Sequence, residues 1–322
     1  MDHPIARSPD HPIRYVPCLL ALLAGLILSA SCATTRLPSS TAALDAKVAE
    51  ASRRCGCRIG VSARHLEGGR TYEKNADQGF ESASVIKIAI LSEAMARVRS
   101  GDIDLSERWT LTDAAKASGS GTLLILDPGL NPTWNDLITL MIGPSDNTAT
   151  NAWIERLGID AVNARMVTMG LPHIHLFDKL PALSRSGETP SPWKGFRLGT
   201  MTPHEVAEWM ARVARGEMVD AETSKKIFAY LDKDPSRLRI ARRFPSEDHW
   251  AGKTGSMSGV RNDSGILRTK KGRFVLVILT DRGATESVSS ADHPSVLAMA
   301  DVAQAIVEAW RRELPDLPVK PQ

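Results

Sequence analysis

Strand-type sequence lies at the two ends of this 322-residue chain, and helical periodicity fills the interval between them. Arg58 to His65 (RIGVSARH) reads as a strand, Gly68-Gly69 as a turn and Thr71-Tyr72-Glu73 as the returning strand. The next strands are Trp250 to Gly255, Ser264 to Arg268 and Phe274 to Thr280 (FVLVILT). The last is a continuous apolar run entered through Lys270-Lys271-Gly272. In between, apolar residues recur at helical spacing. They run from Ser84 through Val85, Ile86, Ile88, Ala89, Leu91 and Met95, then over Trp134 to Ile142, Thr148 to Leu157 and Pro203 to Arg215. Two further helices are expected, over Thr41 to Arg54 and from Pro294, which suits a first helical turn, through Trp310. The chain is therefore of mixed α/β (α+β) class, with strands at both ends enclosing a helical insert.

One stretch breaks the helical pattern. Leu171 to Met201 holds Pro172, Pro181, Pro190 and Pro192 with Gly187, Gly195 and Gly199. A loop of about 30 residues inside a compact domain is uncommon and usually functional, so a long ordered loop or lid is expected.

The N-terminus reads as a targeting segment. Arg7 and Arg14 precede an apolar run from Cys18 to Leu28, followed by Ser29, Ala30 and Ser31. Eleven apolar residues are too few to span a bilayer, which takes about 20, and the flanks are those of a secretory signal over residues 1–31. Cys32 then resembles a bacterial lipoprotein cleavage and lipidation site, with plain cleavage near Ala33 as the alternative. Residues 32–40 form a short tether, and an exported protein, periplasmic or lipid-anchored in the envelope, is expected.

The net charge of +3 excludes nucleic acid as the main partner and leaves the membrane to the anchor alone. Cys55 and Cys57 carry no metal spacing, and a C-x-C pair is expected to make a poor disulfide. No cofactor is expected.

Ser84-Val85-Ile86-Lys87 places a hydroxyl and an amine on one face of a helix start. A serine hydroxyl is a weak nucleophile until a base takes its proton, and lysine is a base only when neutral. Burial among apolar neighbours and a second nearby cation both favour the neutral form. Alone, S-x-x-K is expected about once by chance in such a chain. Ser191-Pro192-Trp193-Lys194 is such a match, in a Pro-rich loop with no helix behind it. Ser84 is accompanied by Ser145-Asp146-Asn147 at a helix start and by Lys253-Thr254-Gly255 on a late strand, 61 and a further 108 residues on.

The ordered triplet S-x-x-K, S-D-N, K-T-G resembles that of the class A β-lactamase-like serine hydrolases. Phe80-Glu81-Ser82-Ala83, Gly119-Ser120-Gly121-Thr122 and the run from Met141 to Asn151 agree with it. The resemblance covers about Thr41 to Leu314. It implies a β-lactamase/transpeptidase-like fold: an antiparallel sheet flanked by N- and C-terminal helices, with an all-α part. The catalytic domain would span 41–322, its α/β part 41–80 and about 227–322, its all-α part about 81–226.

By the same resemblance Ser84 attacks the acyl carbonyl, Lys87 helps to activate it and Ser145 passes a proton to the leaving nitrogen. Asn147 holds the substrate amide and orients Lys87. Lys253 depresses the Lys87 pKa and attracts the substrate carboxylate, which Thr254 and Ser256 hydrogen-bond. Arg261 fits a second carboxylate anchor. The backbone N–H groups of Ser84 and Ser256 form the oxyanion hole.

The resemblance fails in one place. Class A enzymes carry E-x-x-L-N in the loop after S-D-N, its Glu activating the deacylating water, and no such motif occurs here. Asp178 and Glu188 are the loop's carboxylates, and Glu188 is the candidate deacylation base, without the asparagine that would share its water. The expected substrate is a β-lactam or a related amide or ester. The alternatives are a D-Ala-D-Ala peptidase of penicillin-binding type acting on a peptidoglycan-like substrate, and a sensor that is acylated and stays so.

Overall fold

A computed structural model describes residues 41–181, 195–233, 236–285 and 290–317. Its helices are α1 (Thr41–Cys55), α2 (Lys87–Ser100), α3 (Trp134–Ile142), α4 (Asn147–Leu157), α5 (Ile159–Thr168), α6 (Pro203–Arg215), α7 (Ala221–Leu231) and α8 (Pro294–Arg311). Its strands are β1 (Arg58–His65), β2 (Arg70–Lys74), β3 (Phe80–Glu81), β4 (His175–Leu176), β5 (Gly199–Met201), β6 (His249–Met257), β7 (Val260–Thr269) and β8 (Gly272–Asp281).

The two separated strand groups join into one five-stranded antiparallel sheet, ordered β2-β1-β8-β7-β6. β8 pairs with β1 at Arg58↔Asp281 through His65↔Phe274, so the last strand lies between the first and its own hairpin partner β7. Strand β8 shows why the sheet is covered on both sides. Phe274, Leu276 and Ile278 face a core filled by Leu44 and Val48 of α1 and by Val296, Met299, Val302 and Ile306 of α8. Val275, Val277 and Leu279 face a larger core built with α2 to α7. A strand buried on both faces reads as a continuous apolar run, as FVLVILT does.

The helix boundaries follow their caps. Thr133 and Asp136 form a reciprocal capping box at the start of α3. Thr202 caps α6 through the Glu205 N–H, with Pro203 at the first helical position. Helix α6 covers the sheet with Val206, Trp209, Met210 and Val213, and the Trp209 indole N–H donates to Ser92 Oγ of α2 at 2.7 Å. That bond ties the sheet's cover to the helix behind the candidate nucleophile.

Four expectations change. The turn from Ala83 to Ile86 is a 3-10 helix, and the α-helix begins only at Lys87. The Pro-rich loop contributes β4 and β5, which join β3 in a small three-stranded sheet. Helices α5 and α7 have no counterpart in the periodicity reading. Cys55 and Cys57 are joined in a disulfide, contrary to the expectation. Helix α1 ends at Cys55, and Gly56 takes φ +60°, a left-handed value that folds the chain back and leaves the two Cα atoms 5.1 Å apart. That separation is ordinary for a disulfide.

Candidate active site

The 3-10 turn has three residues per turn, so Ser84 and Lys87 stack on one line. Ser84 is half-buried, and Ala83 before it has φ +44°, rare for a residue with a side chain. The turn is held from the sheet. Asn262 on β7 donates from Nδ2 to the carbonyls of Glu81 (2.8 Å) and Ser82 (3.1 Å), while its Oδ1 accepts from the Thr280 N–H of β8. Strand β6 abuts the same turn. A Cβ on Gly255 would lie 3.0 Å from the Ser84 nitrogen and 3.1 Å from Ala83 Cβ, closer than ordinary contact allows. The glycine of K-T-G is what lets the strand reach the nucleophile.

Lys87 is fully buried, and its Nζ lies within hydrogen-bond distance of Ser145 O (2.6 Å), Ser145 Oγ (3.1 Å) and Asn147 Oδ1 (3.1 Å). Burial pushes its pKa well below the ordinary lysine value, the Lys253 charge lowers it further, and Asp146 opposes both. The environment therefore favours the free amine, the form a general base needs.

The S-D-N turn is clamped as tightly. Asp146 caps α4 by accepting from the Ala149 N–H, and its other oxygen accepts from the N–H groups of Thr122 (2.7 Å) and Leu123 (2.8 Å). Ser120 Oγ donates to Ser145 O at 2.6 Å, and Asn147 Nδ2 donates to Ser118 O at 2.8 Å. Gly121, at φ +115°, packs so closely that a Cβ there would come within 2.4 Å of the Asp146 backbone. Ser145 itself has φ +59°. This backbone fixes its hydroxyl beside the lysine.

On β6, an edge strand of the sheet, Lys253 is fully buried and donates to its neighbour's carbonyl, Thr254 O, at 3.1 Å. Thr254 and Ser256 are half-exposed and alternate with Lys253 and Gly255 along the strand. Arg261 has a different surrounding from the expected one. It is 1% exposed, and its guanidinium donates to the Met257 and Val260 carbonyls at the β6–β7 turn, each at 2.7 Å. Burial first, and then Arg239, lower its pKa.

Arg239 is the residue that sequence reasoning missed. It donates to Ser256 Oγ (2.6 Å), Gly255 O (2.8 Å) and Asn262 O (2.6 Å), so its charge stands against the strand the substrate carboxylate is expected to meet. The only signal was its place in the basic run Arg237-Leu238-Arg239-Ile240-Ala241-Arg242-Arg243.

The structure thus brings Ser84, Lys87, Ser145, Asn147 and the Lys253–Ser256 segment together. Glu188 and the chance motif Ser191–Lys194 lie outside the described residues. In the described part of the loop, Asn151 of α4 clasps Leu180 from both sides, accepting from its N–H (2.8 Å) and donating to its carbonyl. Asp178 is the one carboxylate among the described residues of 171–201.

The Beta-lactamase enzyme family model matches residues 43–310. A β-lactamase of Rhodobacter capsulatus is 24% identical over 93% of this chain and 100% of its own length. The crystal structure of a β-lactamase from Sphaerobacter thermophilus DSM 20745 is 31% identical and superposes with a TM-score of 0.75, covering 86% of this chain and all of that one. A structure of PBP-A, solved for a point mutant as an acyl-enzyme complex with penicillin G, shares the fold at 23% identity and a TM-score of 0.73, covering 84% of this chain and 96% of that one. With the family model spanning most of the chain and a β-lactamase structure related over its whole length, the chain belongs to the beta-lactamase enzyme family.

Proposed function

We propose that the protein is a serine hydrolase that opens β-lactams through an acyl-enzyme on Ser84. The observation that carries this reading is the buried Lys87 amine, held by Ser145 and Asn147 and facing the Lys253 charge. Ser84 Oγ attacks the lactam carbonyl carbon while its proton passes to Lys87 Nζ. The oxyanion takes hydrogen bonds from the backbone N–H groups of Ser84 and Ser256. The C–N bond then breaks. The ring nitrogen receives a proton through the Ser145 hydroxyl, which stands 3.1 Å from Lys87 Nζ. Lys253, Thr254, Ser256 and Arg239 hold the substrate carboxylate, and Asn147 the side-chain amide.

Water must then cleave the ester, and fast hydrolysis needs a base within hydrogen-bond reach of that water. The described part of the loop supports a slow second half-reaction. Asn151 lies one helical turn beyond Asn147, on the same face of α4, and the residue it clasps there is Leu180, which has no carboxylate. The adduct accumulates as a result. A slow second half-reaction is also what a D-Ala-D-Ala peptidase of penicillin-binding type, the second reading, would show with β-lactams.

Export to the cell envelope belongs to this proposal. Arg7, Arg14, the apolar run Cys18–Leu28 and the small residues 29–31 support it, and Cys32 supports a lipid anchor.

The test is intact-mass spectrometry with penicillin G beside steady-state nitrocefin turnover. A single adduct is expected that is lost in Ser84→Ala and kept in Ser191→Ala. Labelling that persists in Ser84→Ala refutes the nucleophile. Release of D-Ala from a D-Ala-D-Ala peptide without nitrocefin turnover selects the second reading.

A further inference from the structure

Glu81 stands three residues before the nucleophile and is 8% exposed. Its carboxylate collects three successive backbone N–H groups from the exit of the Pro-rich loop. Oε2 accepts from Arg197 (2.8 Å), and Oε1 accepts from Leu198 (3.0 Å) and Gly199 (3.3 Å). The entry to the loop hangs on the same residues. Phe177 N–H donates to Leu198 O at 2.9 Å, and Leu176 of β4 pairs with Gly199 of β5. Both described ends of the loop therefore rest on one buried carboxylate.

The backbone around Glu81 is held from the sheet. Its carbonyl and that of Ser82 accept from Asn262 Nδ2 of β7. Ser82 N–H in turn donates to Gly199 O at 2.9 Å. The next residue, Ala83, has φ +44°. A left-handed value on a residue with a side chain persists only where its surroundings over-determine it. The segment leading into Ala83 is fixed twice over, by the sheet through Asn262 and by the loop exit through Glu81.

We propose that Glu81 is a positioning residue for acylation, which clamps the loop exit to the Ser84 turn so that each holds the other in place. This rests on the reading that Ser84 is the nucleophile. Without the clamp the loop exit no longer braces the turn, Ala83 relaxes toward negative φ, and Ser84 shifts relative to Lys87 and the oxyanion N–H groups. Substrate binding is spared, because Lys253, Thr254 and Ser256 lie on β6.

Glu81→Gln keeps the length of the side chain but removes its charge and sets an NH2 group against a backbone N–H. Stopped-flow acylation by penicillin G over a range of concentrations is read beside amide hydrogen exchange of the unacylated full chain. The acylation rate constant falls about tenfold, the cost of a misplacement of about half an ångström, while the preceding binding constant stays within about twofold. Glu81→Asp, which keeps the charge on a shorter side chain, lowers the rate similarly. Exchange quickens at Leu198 and Gly199 and also at Val85 and Lys87, whose N–H groups donate within the turn to Ser82 O and Ser84 O. Adding Ala83→Gly to Glu81→Gln recovers most of the rate, because glycine accepts φ +44° without the brace. Val302→Ala, a cavity in the core on the other face of the sheet, lowers the melting temperature and leaves the rate unchanged. A rate within about twofold of the parent in both Glu81 variants, or a loss that Ala83→Gly does not recover, overturns the proposal. If penicillin does not acylate Ser84 in the parent, the reading of the nucleophile falls, and exchange alone decides the clamp. Faster exchange that spreads from the loop exit to Val85 and Lys87 upholds it, and faster exchange confined to residues 197–199 overturns it.

Discussion

A methyl group on Gly255 strikes the site where the sheet meets the nucleophile. Its carbon would stand 3.0 Å from the Ser84 nitrogen and 3.1 Å from both Ala83 Cβ and Ser82 O. Ordinary contact begins at 3.4 Å, so β6 and the turn must separate by about 0.4 Å. None of the three atoms is the tip of a flexible side chain, and Asn262 holds the turn in place through Glu81 O and Ser82 O. The separation therefore moves Ser84 relative to Lys253 and the N–H of Ser256. A misplacement of about 1 Å costs about 10²-fold, so this one costs about sixfold, and crowding at the Ser84 N–H brings the loss to about tenfold. Overpacking a close contact also costs about 1–3 kcal/mol of stability. Stopped-flow acylation by nitrocefin and a thermal melt read the two effects separately. Acylation within twofold of the parent, whatever the melt shows, would refute the claim that β6 positions the nucleophile.

Other outcomes follow from the same geometry. Lys253→Ala removes a charge that lowers the Lys87 pKa. The Lys87 pKa rises, the free amine becomes scarcer at neutral pH, and the acid limb of the acylation–pH profile moves to higher pH, with a loss of about 10²-fold at pH 7. An unmoved limb would separate Lys253 from Lys87. Arg239→Ala leaves Ser256 Oγ without its donor and raises KM for carboxylate-bearing β-lactams about tenfold while disturbing kcat less. Equal losses on a substrate lacking the carboxylate would contradict this. Glu188→Gln changes steady-state turnover by less than about tenfold, a difference near 1.4 kcal/mol. Rapid wild-type turnover that collapses in the variant, with the adduct trapped, would show that the loop delivers a base.

How far the sequence could be read depended on which force set each element. Helices with a broad apolar face and a cap were legible to the residue: Trp134–Ile142 behind Thr133, and Pro203–Arg215 behind Thr202. Helix α5 buries only Val162 and Met166, and α7 buries Thr223 and Ser224 beside Ile227, Tyr230 and Leu231. Such narrow or polar faces give periodicity little to register. The three motifs were legible because their chemistry is local. The arginine against Ser256 was not, because a strand's register decides which of two nearby guanidiniums reaches it. Arg261 is spent on the carbonyls of its own turn, and Arg239 arrives from a different segment. The disulfide turned on one dihedral, the left-handed φ of Gly56, which composition and spacing do not reveal.

The two buried lysines reach the site by different routes. Lys87 comes with the helical insert and Lys253 with the sheet, so their repulsion acts across the junction of the two parts. In the empty enzyme, with Lys87 held as the free amine, this spring is slack. Proton transfer to Lys87 during acylation compresses it, because only then does the junction carry two full positive charges. An anionic substrate works as the latch, since a carboxylate seated beside Lys253 offsets the repulsion at the moment it peaks. A neutral analogue of the same shape is then expected to be acylated more slowly, because nothing offsets the second charge as it forms.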